Sequence, residues 1–349
     1  MTKARRFNVT RRGVLAAASA GALPGSGLAQ GPMSGAVCWR DGGSLPFAVQ
    51  EIYPCVHDGR VWVGGGLIGE SGRVIGASDR LVSREPSAAG WRREVSLPGP
   101  VHHPQLASVG GSLWLLGGFQ SPAPGVIWQM SDASWRLDPT GGQWLAGPKA
   151  LAPHAECVCI VSNDLAYLVG GRRPSGAANM AYRDHVDTTD HLVFDPASGA
   201  WSTAAPALTA RNSAAGVSLS GRLHVVGGRS VTAGPSVSHE VYDPREDRWR
   251  LAAPLPREAA AGGLAAAVLA GRIYVFGGEV FDPAPGRVLQ TVWAYDPGSD
   301  RWEMAGDMPT PRHGLGAVAV GSEIWTIGGA ERPSGSKTSA QVEVMRSAC

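Results

Sequence analysis

The sequence predicts an all-β fold assembled from six copies of one supersecondary unit. A short β-rich run ends in a glycine doublet six times, at a nearly constant interval. The first glycines of the doublets are Gly65, Gly117, Gly170, Gly227, Gly277 and Gly328. A tryptophan recurs at a similar interval, at Trp39, Trp91, Trp144, Trp201, Trp249 and Trp302. Self-similarity with a period of roughly 50 residues is typical of propellers and solenoids, in which each repeat packs on its neighbours.

Turn residues divide each repeat into four strands. Asp-Pro pairs, such as Asp243-Pro244 and Asp296-Pro297, come shortly before the recurring tryptophan. Proline presets φ and the aspartate bonds to the backbone just ahead, so these pairs make turns. Each repeat is therefore predicted to run strand a, turn, strand b with Gly-Gly, loop, strand c, turn, and strand d with the tryptophan. We expect the glycines to leave room for the aromatic residue of strand c and the tryptophan of strand d.

This combination resembles the kelch family of β-propellers over about residues 36–349. The resemblance implies six four-stranded blades around a central channel. The last repeat stops without a tryptophan strand, whereas Val37-Cys38-Trp39 precedes the first doublet. The N-terminal strand is therefore predicted to join the last blade and close the ring, which removes an open sheet edge. Aligning the last blade with the others places Cys38 and Cys349 beside one tight turn, so a Cys38–Cys349 disulfide is our hypothesis.

The first 29 residues have the composition of an export signal. A basic beginning is followed by a short apolar run and a small-residue exit, and the run is too short to span a membrane. Thr10-Arg11-Arg12-Gly13-Val14-Leu15 resembles the twin-arginine motif. An ordinary Sec signal is the alternative. We expect residues 1–29 to be the signal, residues 30–349 to be the propeller, and the protein to be periplasmic or secreted.

Removing the signal changes the charge of the protein. The whole chain has 31 Lys and Arg against 29 Asp and Glu, and five of the basic residues lie in the signal. The mature part therefore carries 26 basic and 29 acidic residues, a net charge of −3. Nothing in this pattern forms the basic stripe of a nucleic-acid binder. No later apolar run is long enough for a membrane span. We also expect the protein to be a monomer.

Candidate ligand-binding residues lie in the d–a and b–c connections, which open on one face around the channel mouth. They are His102, His103, Arg172, Arg173, Arg211, Arg229, Arg257 and Arg312. Guanidinium groups suit carboxylates and phosphates, so the sequence predicts a small anionic ligand such as an acidic sugar. The alternative is that these arginines pair with Glu51, Glu258 and Glu279 and tie the blades together. The long insertion at 172–190 is expected to fold over the same mouth.

Two functional classes are compatible with this pattern. The first is a binding module for a small ligand or for a periplasmic or extracellular protein partner. The second follows from a similarity in architecture and size to the bacterial N-acetylneuraminate mutarotases. That similarity implies a sugar mutarotase or epimerase, with Arg211, Arg257 and Arg312 anchoring a carboxylate and Glu258 or His154 moving the proton. Copper-radical galactose oxidases share the fold, but the sequence has no Tyr-His pair, so no metal or cofactor is predicted.

Overall fold

A computed structural model describes residues 37–140, 142–281 and 285–347. The export signal predicted at 1–29 and Cys349 lie outside the described residues, so the signal and the Cys38–Cys349 disulfide stay predictions. The free cysteines among the described residues are Cys55, Cys157 and Cys159. Within the described ranges, no helix is long and apolar enough to cross a membrane.

The described residues form 35 strands and two short 3-10 helices. The N-terminal strand and the first repeat contain β1 (Cys38–Ser44), β2 (Val49–Gln50), β3 (Cys55–His57), β4 (Arg60–Gly64), β5 (Leu67–Glu70), β6 (Arg73–Ala77), β7 (Leu81–Arg84) and β8 (Arg92–Arg93). The second repeat contains β9 (Val101–His102), β10 (Gln105–Val109), β11 (Ser112–Leu116), β12 (Phe119–Gln120), β13 (Gln129–Met130), β14 (Ser134–Leu137) and β15 (Trp144–Ala146). The third contains β16 (Val158–Ser162), β17 (Leu165–Val169), β18 (Arg172–Pro174), a 3-10 helix (Tyr182–Asp184), β19 (His185–Asp187), β20 (His191–Asp195) and β21 (Ala200–Thr203).

The second half of the chain repeats the same order. The fourth repeat contains β22 (Ala215–Leu219), β23 (Arg222–Val226), β24 (Arg229–Ser230), β25 (Gly234–Pro235), β26 (His239–Asp243) and β27 (Arg248–Leu251). The fifth contains a 3-10 helix (Arg257–Ala259), β28 (Gly262–Leu269), β29 (Arg272–Val280), β30 (Arg287–Val288), β31 (Thr291–Asp296) and β32 (Arg301–Asp307). The sixth contains β33 (Gly316–Val320), β34 (Glu323–Ile327) and β35 (Gln341–Arg346).

Six antiparallel sheets carry the a, b, c and d strands that the repeats predict. Their orders are β3-β4-β7-β8, β10-β11-β14-β15, β16-β17-β20-β21, β22-β23-β26-β27, β28-β29-β31-β32 and β33-β34-β35-β1. In the last sheet the N-terminal strand β1 pairs with β35, and Trp39 lies opposite Met345. Strand a of each sheet contacts strand a of the next sheet, and β33 of the last sheet contacts β3 of the first. The six a strands of the described residues, β3, β10, β16, β22, β28 and β33, therefore form a continuous ring.

The hydrophobic core lies between neighbouring sheets. Leu113-Trp114-Leu115-Leu116 on strand b is buried along its length because sheets cover both of its faces. Trp114 packs edge-on against Phe194 of the third sheet, with ring centroids 4.7 Å apart. This sandwiching explains why the second strand of each repeat reads as a continuous apolar run.

The glycine doublets serve a different purpose from the one predicted. The second glycine of each doublet donates its backbone N–H to the d–a connection of the next repeat, as in Gly66 to Val101, Gly278 to Arg312 and Gly329 to Val49. A Cβ on the first glycine would also meet that connection, as a Cβ built on Gly277 meets the carbonyl oxygen of Arg312. The doublets therefore join adjacent sheets, and the expectation that they make room for the tryptophans is wrong.

Three of the recurring tryptophans also join adjacent sheets. The indole N–H of Trp201 donates to the carbonyl of Pro148, at 3.1 Å. Trp249 donates to Ala205 at 2.7 Å, and Trp302 donates to the equivalent Ala253 at 2.9 Å. Each of these acceptors follows strand d of the preceding sheet. The same contact thus recurs in the third, fourth and fifth repeats, whereas the indole nitrogens of Trp39, Trp91 and Trp144 have no hydrogen-bond partner among the described residues.

Replacing Gly277 by alanine is expected to destabilise the fold more than replacing Gly271. Both glycines have positive φ, +63° and +75°, so alanine at either site introduces backbone strain of about 1–2 kcal/mol. Only at Gly277 would the new methyl also meet the carbonyl oxygen of Arg312, whereas a Cβ at Gly271 has nothing within 4 Å. Overpacking adds about 1–3 kcal/mol. Urea unfolding of the two variants measures the difference, and equal losses would contradict the close approach.

Candidate functional site

A cavity of about 660 Å³ opens where the d–a connections and b–c loops meet, at one end of the ring. Its polar lining includes Glu51, His103, Glu156, Arg229, Glu279 and His313. Its apolar lining includes Leu67, Ile127, Trp128, Tyr182, Val280 and Phe281. Binding sites for small molecules typically combine a volume of this size with mostly apolar walls and a few convergent polar groups.

Six residues with left-handed backbone geometry form a belt at the cavity floor. Each occupies the same place ahead of the doublet of its repeat, as Glu51 does ahead of Gly65 and His103 ahead of Gly117. Their φ angles lie between +50° and +70°. Backbone hydrogen bonds link successive members, for example from Gly314 to Gly263 at 3.0 Å and from Glu51 to Gly314 at 2.7 Å. The six members of the belt are Glu51, His103, Glu156, Ser213, Gly263 and Gly314.

The belt places three ionisable side chains on consecutive repeats, and His103 lies between the other two. Its Nε2 is 2.9 Å from Glu51 Oε2 and 3.5 Å from Glu156 Oε1. Burial opposes charge on the imidazole, but the charge and hydrogen bond of Glu51 outweigh burial and raise the pKa of His103. Burial likewise works against the carboxylate of Glu51, yet His103, with His313 and Arg229 further away, lowers the pKa of Glu51 to about 2. The floor therefore contains an ion pair at neutral pH.

Arg229 supplies a second positive charge on the cavity wall. Its Nη1 donates to Glu279 Oε1 at 2.7 Å, and its Nε donates to Asn212 at 3.3 Å. Burial disfavours the guanidinium charge, but Glu156 and Glu279 reverse that effect and raise the pKa of Arg229. The side chain is still 22% exposed, so one edge of this pre-oriented cation can reach a ligand.

The insertion at 172–190 covers one side of the cavity. Its Tyr182 ring lies 3.7 Å from the Arg172 guanidinium and lines the cavity. Asn179 accepts from the backbone N–H of Met130 at 3.0 Å and donates to its carbonyl at 2.9 Å. These two bonds fasten the insertion of the third repeat to the second repeat.

A family model for the kelch motif matches residues 210–256 and 260–309. The chain contains kelch repeats. The curated relatives of this kelch-repeat protein include Kelch-like protein 23 of Pongo abelii, 24% identical over 81% of this chain and 46% of the relative. Another is Kelch-like protein terF of Aspergillus terreus, 26% identical over 80% of this chain and 61% of the relative. The chain thus spans about half of the length of these two relatives.

A solved structure shares the fold of this chain. The solved structure of YjhT superimposes with a TM-score of 0.72 over 85% of this chain and 95% of that chain, at 17% sequence identity. At that identity the similarity shows the fold alone. The kelch resemblance and the all-β propeller class predicted from the sequence are therefore confirmed.

The kelch-repeat protein brings only part of the predicted site to the cavity. His103 and Arg229 line it. His102 and Arg172 lie directly behind the lining: His102 Nδ1 is 2.8 Å from His103 Nδ1, and Arg172 Nε is 4.0 Å from Glu156. Arg172 is fully buried, and its Nη2 donates to the carbonyls of Tyr182 and His185.

Arg211 and Arg312 are not where a ligand-binding role requires them. Arg211 is buried and paired with Glu240 of its own sheet. Arg312 is fully buried and donates to Glu343 at 2.7 Å and to the carbonyl of Gly328 at 2.7 Å. Both guanidinium groups point into the sheets because carboxylates on strand c neutralise them there. Both arginines therefore have a structural role and do not make the expected contact with a ligand at the mouth.

The other four predicted residues also lie away from the cavity. Arg257 and Glu258 are exposed on the 3-10 helix. Arg173 is exposed and faces Asp190 at 3.4 Å. His154 is buried against Gly117, and its Nδ1 bonds to the carbonyl of Ala152 at 3.0 Å. Neither Glu258 nor His154 is therefore placed to move a proton on a ligand in this cavity.

Sequence reasoning missed Glu156 as a site residue and treated Glu51 only as a partner for arginines. Glu51 and Glu156 both occupy the belt position of their repeats. The predicted residues His154, Arg211 and Arg312 occupy the position two residues earlier. Aromatic residues on the cavity walls, such as Trp128 and Phe281, follow no register because the b–c loops differ in length. Among the described residues, no three His, Cys, Asp or Glu side chains are arranged to hold a metal ion.

Proposed function

We propose that this kelch-repeat protein binds a small hydroxylated anion, such as an acidic sugar, in the cavity at the channel mouth. The observation that carries the proposal is the convergence of Glu51, His103, Glu156 and Arg229 on one 660 Å³ cavity with aromatic walls. A kelch propeller is compatible with either a ligand-binding or a protein-interaction module. The enclosed polar floor favours the small ligand.

The chemistry of the lining matches the two ends of such a ligand. The accessible edge of Arg229 suits a carboxylate, because a guanidinium presents parallel N–H donors to paired oxygens. The carboxylate of Glu51 accepts hydrogen bonds from ligand hydroxyls. Tyr182 and Trp128 offer aromatic surfaces, and their rings are 5.1 Å apart in an edge-to-face arrangement. Such surfaces cover the apolar face of a sugar ring while the floor binds its polar edge.

We also propose that the protein acts outside the cytoplasm. The support is the sequence of residues 1–29, with its paired arginines, apolar run and small-residue exit. Fractionation of cells that express the full chain, with mass spectrometry of the N-terminus, tests this proposal separately from ligand binding. Retention of residues 1–29 in a cytoplasmic product would contradict export.

Replacing Arg229 by glutamine is expected to abolish most of the affinity for acidic sugars. The variant loses the only arginine among the cavity-lining residues described and leaves Glu279 without its 2.7 Å partner. Loss of a charge-assisted contact weakens binding by about ten- to a hundredfold. Calorimetric titration of the protein with a panel of uronic and sialic acids, and with the matching neutral sugars, measures the change.

Arg222→Gln is the matched control for this experiment. Arg222 lies on the same repeat and also pairs with a carboxylate, Asp243, but its side chain is 57% exposed and away from the cavity. It should bind like the parent. Equal loss in both variants, or no binding of any sugar by the parent protein, would overturn the small-ligand proposal. Binding of a periplasmic protein instead, sensitive to substitution of the exposed rim residue Phe281, would establish the interaction module.

A sugar mutarotase or epimerase is the second candidate. The observation that favours it is the imidazole of His103 held between two carboxyl groups at the floor, an arrangement suited to acid–base chemistry. Any sugar that binds can be examined by NMR for faster exchange between its anomers. A binding sugar whose exchange rate is unchanged by the protein would leave the binding module as the function.

A further inference from the structure

His102 has its proton fixed by a backbone group. Its Nε2 forms a short hydrogen bond with the carbonyl of Ile127, which can only accept, so Nε2 carries a proton. The ring is fully buried and stacks on Phe119, with centroids 4.9 Å apart. Burial, and then the charge of His103, lowers the pKa of His102 to about 3. His102 is therefore neutral, and its Nδ1 has a lone pair.

That lone pair determines the state of the neighbouring ring. Nδ1 of His102 lies 2.8 Å from Nδ1 of His103, so His103 must donate at this nitrogen. Nε2 of His103 faces Glu51 at 2.9 Å and Glu156 at 3.5 Å, so it must donate there as well. Both nitrogens of His103 then carry protons, and the ring is an imidazolium.

We propose that His102 is a positioning residue that keeps His103 cationic at pH 7, and that this cation holds Glu51 as a hydrogen-bond acceptor for ligand hydroxyls. Nδ1 of His102 accepts the hydrogen bond from the protonated Nδ1 of His103, which would otherwise need a buried water molecule as its acceptor. The groups that face His103 are Glu51, Glu156, His102, Arg229 and the ring of Tyr53. The two carboxyl groups favour the cation, and Arg229 opposes it.

His313 lies on the other side of Glu51. Its Nε2 lies 2.9 Å from the carbonyl oxygen of Arg332 and 3.0 Å from that of Ser334, so this nitrogen carries a proton. Its Nδ1 lies 3.7 Å from Glu51 Oε1 and has no hydrogen-bond partner among the described residues. A ligand hydroxyl can hydrogen-bond to this nitrogen in either role, because a hydroxyl both donates and accepts.

The inference about His103 is tested without a ligand by NMR of ¹⁵N-labelled protein. Long-range ¹H–¹⁵N correlations report the protonation of each ring nitrogen. In the parent protein, both nitrogens of His103 should be protonated at pH 7. In His102→Phe, which removes the acceptor and keeps an aromatic ring, His103 should lose its proton at a lower pH than in the parent. His102→Asn restores an acceptor oxygen near the position of Nδ1 and should return the midpoint toward that of the parent.

His191→Phe is the control for replacing a buried histidine. His191 is buried at the start of β20 in the third sheet and bonds to the carbonyl of Ala205, and it does not line the cavity. The His191→Phe variant should leave the titration of His103 unchanged. A neutral His103 at pH 7 in the parent, or the same midpoint in the parent and His102→Phe, would overturn the proposal.

The sugar-binding part of this test rests on the proposed function, and its result is interpreted separately from the NMR result. Where an acidic sugar binds the parent, His102→Phe should weaken it by about tenfold at pH 7 and His102→Asn by less. If no sugar binds but the NMR results hold, the proposed function fails and the proton arrangement stands. If sugar binds equally well to the parent and His102→Phe, the role of His102 in ligand recognition is overturned.

Discussion

Arg312→Met is expected to remove about 3–5 kcal/mol from the free energy of unfolding while leaving the ligand cavity intact. The guanidinium is fully buried, and it donates to Glu343 at 2.7 Å and to the carbonyl of Gln341 at 2.9 Å. Removing it leaves Glu343, itself 2% exposed, as a buried charge whose remaining side-chain partner is the neutral amide of Gln341, at 3.0 Å. Urea unfolding followed by tryptophan fluorescence measures the loss.

Two further variants test whether the loss of stability in Arg312→Met comes from breaking the buried Arg312–Glu343 pair. Arg312→Met combined with Glu343→Met removes both charges, and replacing both partners of a buried pair by apolar groups is often close to neutral. The double variant should therefore recover most of the loss. Arg346→Met is the surface control, because Arg346 pairs with Glu323 on the same sheet but is 59% exposed. Its effect should stay below about 1 kcal/mol. A stable Arg312→Met protein with weakened ligand binding would instead show that Arg312 contributes to the ligand site.

The repeat period carried almost all of the information about the fold. Six doublets and six tryptophans predict the strand order within each repeat, and the pairing of β1 with β35 follows from the phase of Trp39. The purpose of the glycines was not predictable in the same way. A glycine reports that something approaches closely, but the sequence does not say which group approaches. The d–a connection of the next repeat comes close to Gly277 only once the sheets stand side by side.

The site was harder to predict because two nearby positions in each repeat have different environments. The earlier position holds Arg211 and Arg312, which point into the sheets, whereas the later one holds Glu51 and His103, which line the cavity. An isolated arginine carries the same charge in either place. The positive φ at the later position turns its side chain toward the channel mouth, and for a glutamate or histidine that geometry has no sequence signal of its own.

Stability is expected to fall steeply as the pH is lowered from 6.5 to about 4. Burial lowers the pKa of His102 and His224 to about 3 and that of His239 to about 4. In the unfolded chain these groups titrate near 6.5, so the unfolded state binds protons that the folded state does not, and acid favours unfolding. Three such groups give a slope of up to about 4 kcal/mol per pH unit near pH 5. His103 has the opposite sign: its contribution is complete below pH 6.5 and is lost as the pH rises through its raised pKa.

The variant His224→Gln measures how much one of these histidines contributes to the pH dependence of stability. His224 Nδ1 lies 2.9 Å from Nε2 of His239, and His239 Nδ1 bonds to the carbonyl of Ala253, so the glutamine amide can still donate to His239. Urea unfolding from pH 7.5 to 4.5 should show a slope shallower by about 1.4 kcal/mol per pH unit. Val225→Ala, on the same strand, creates a cavity without changing proton uptake, so its curve should run parallel to that of the parent. A parallel curve for His224→Gln as well would show that the buried histidine pair takes no part in acid unfolding.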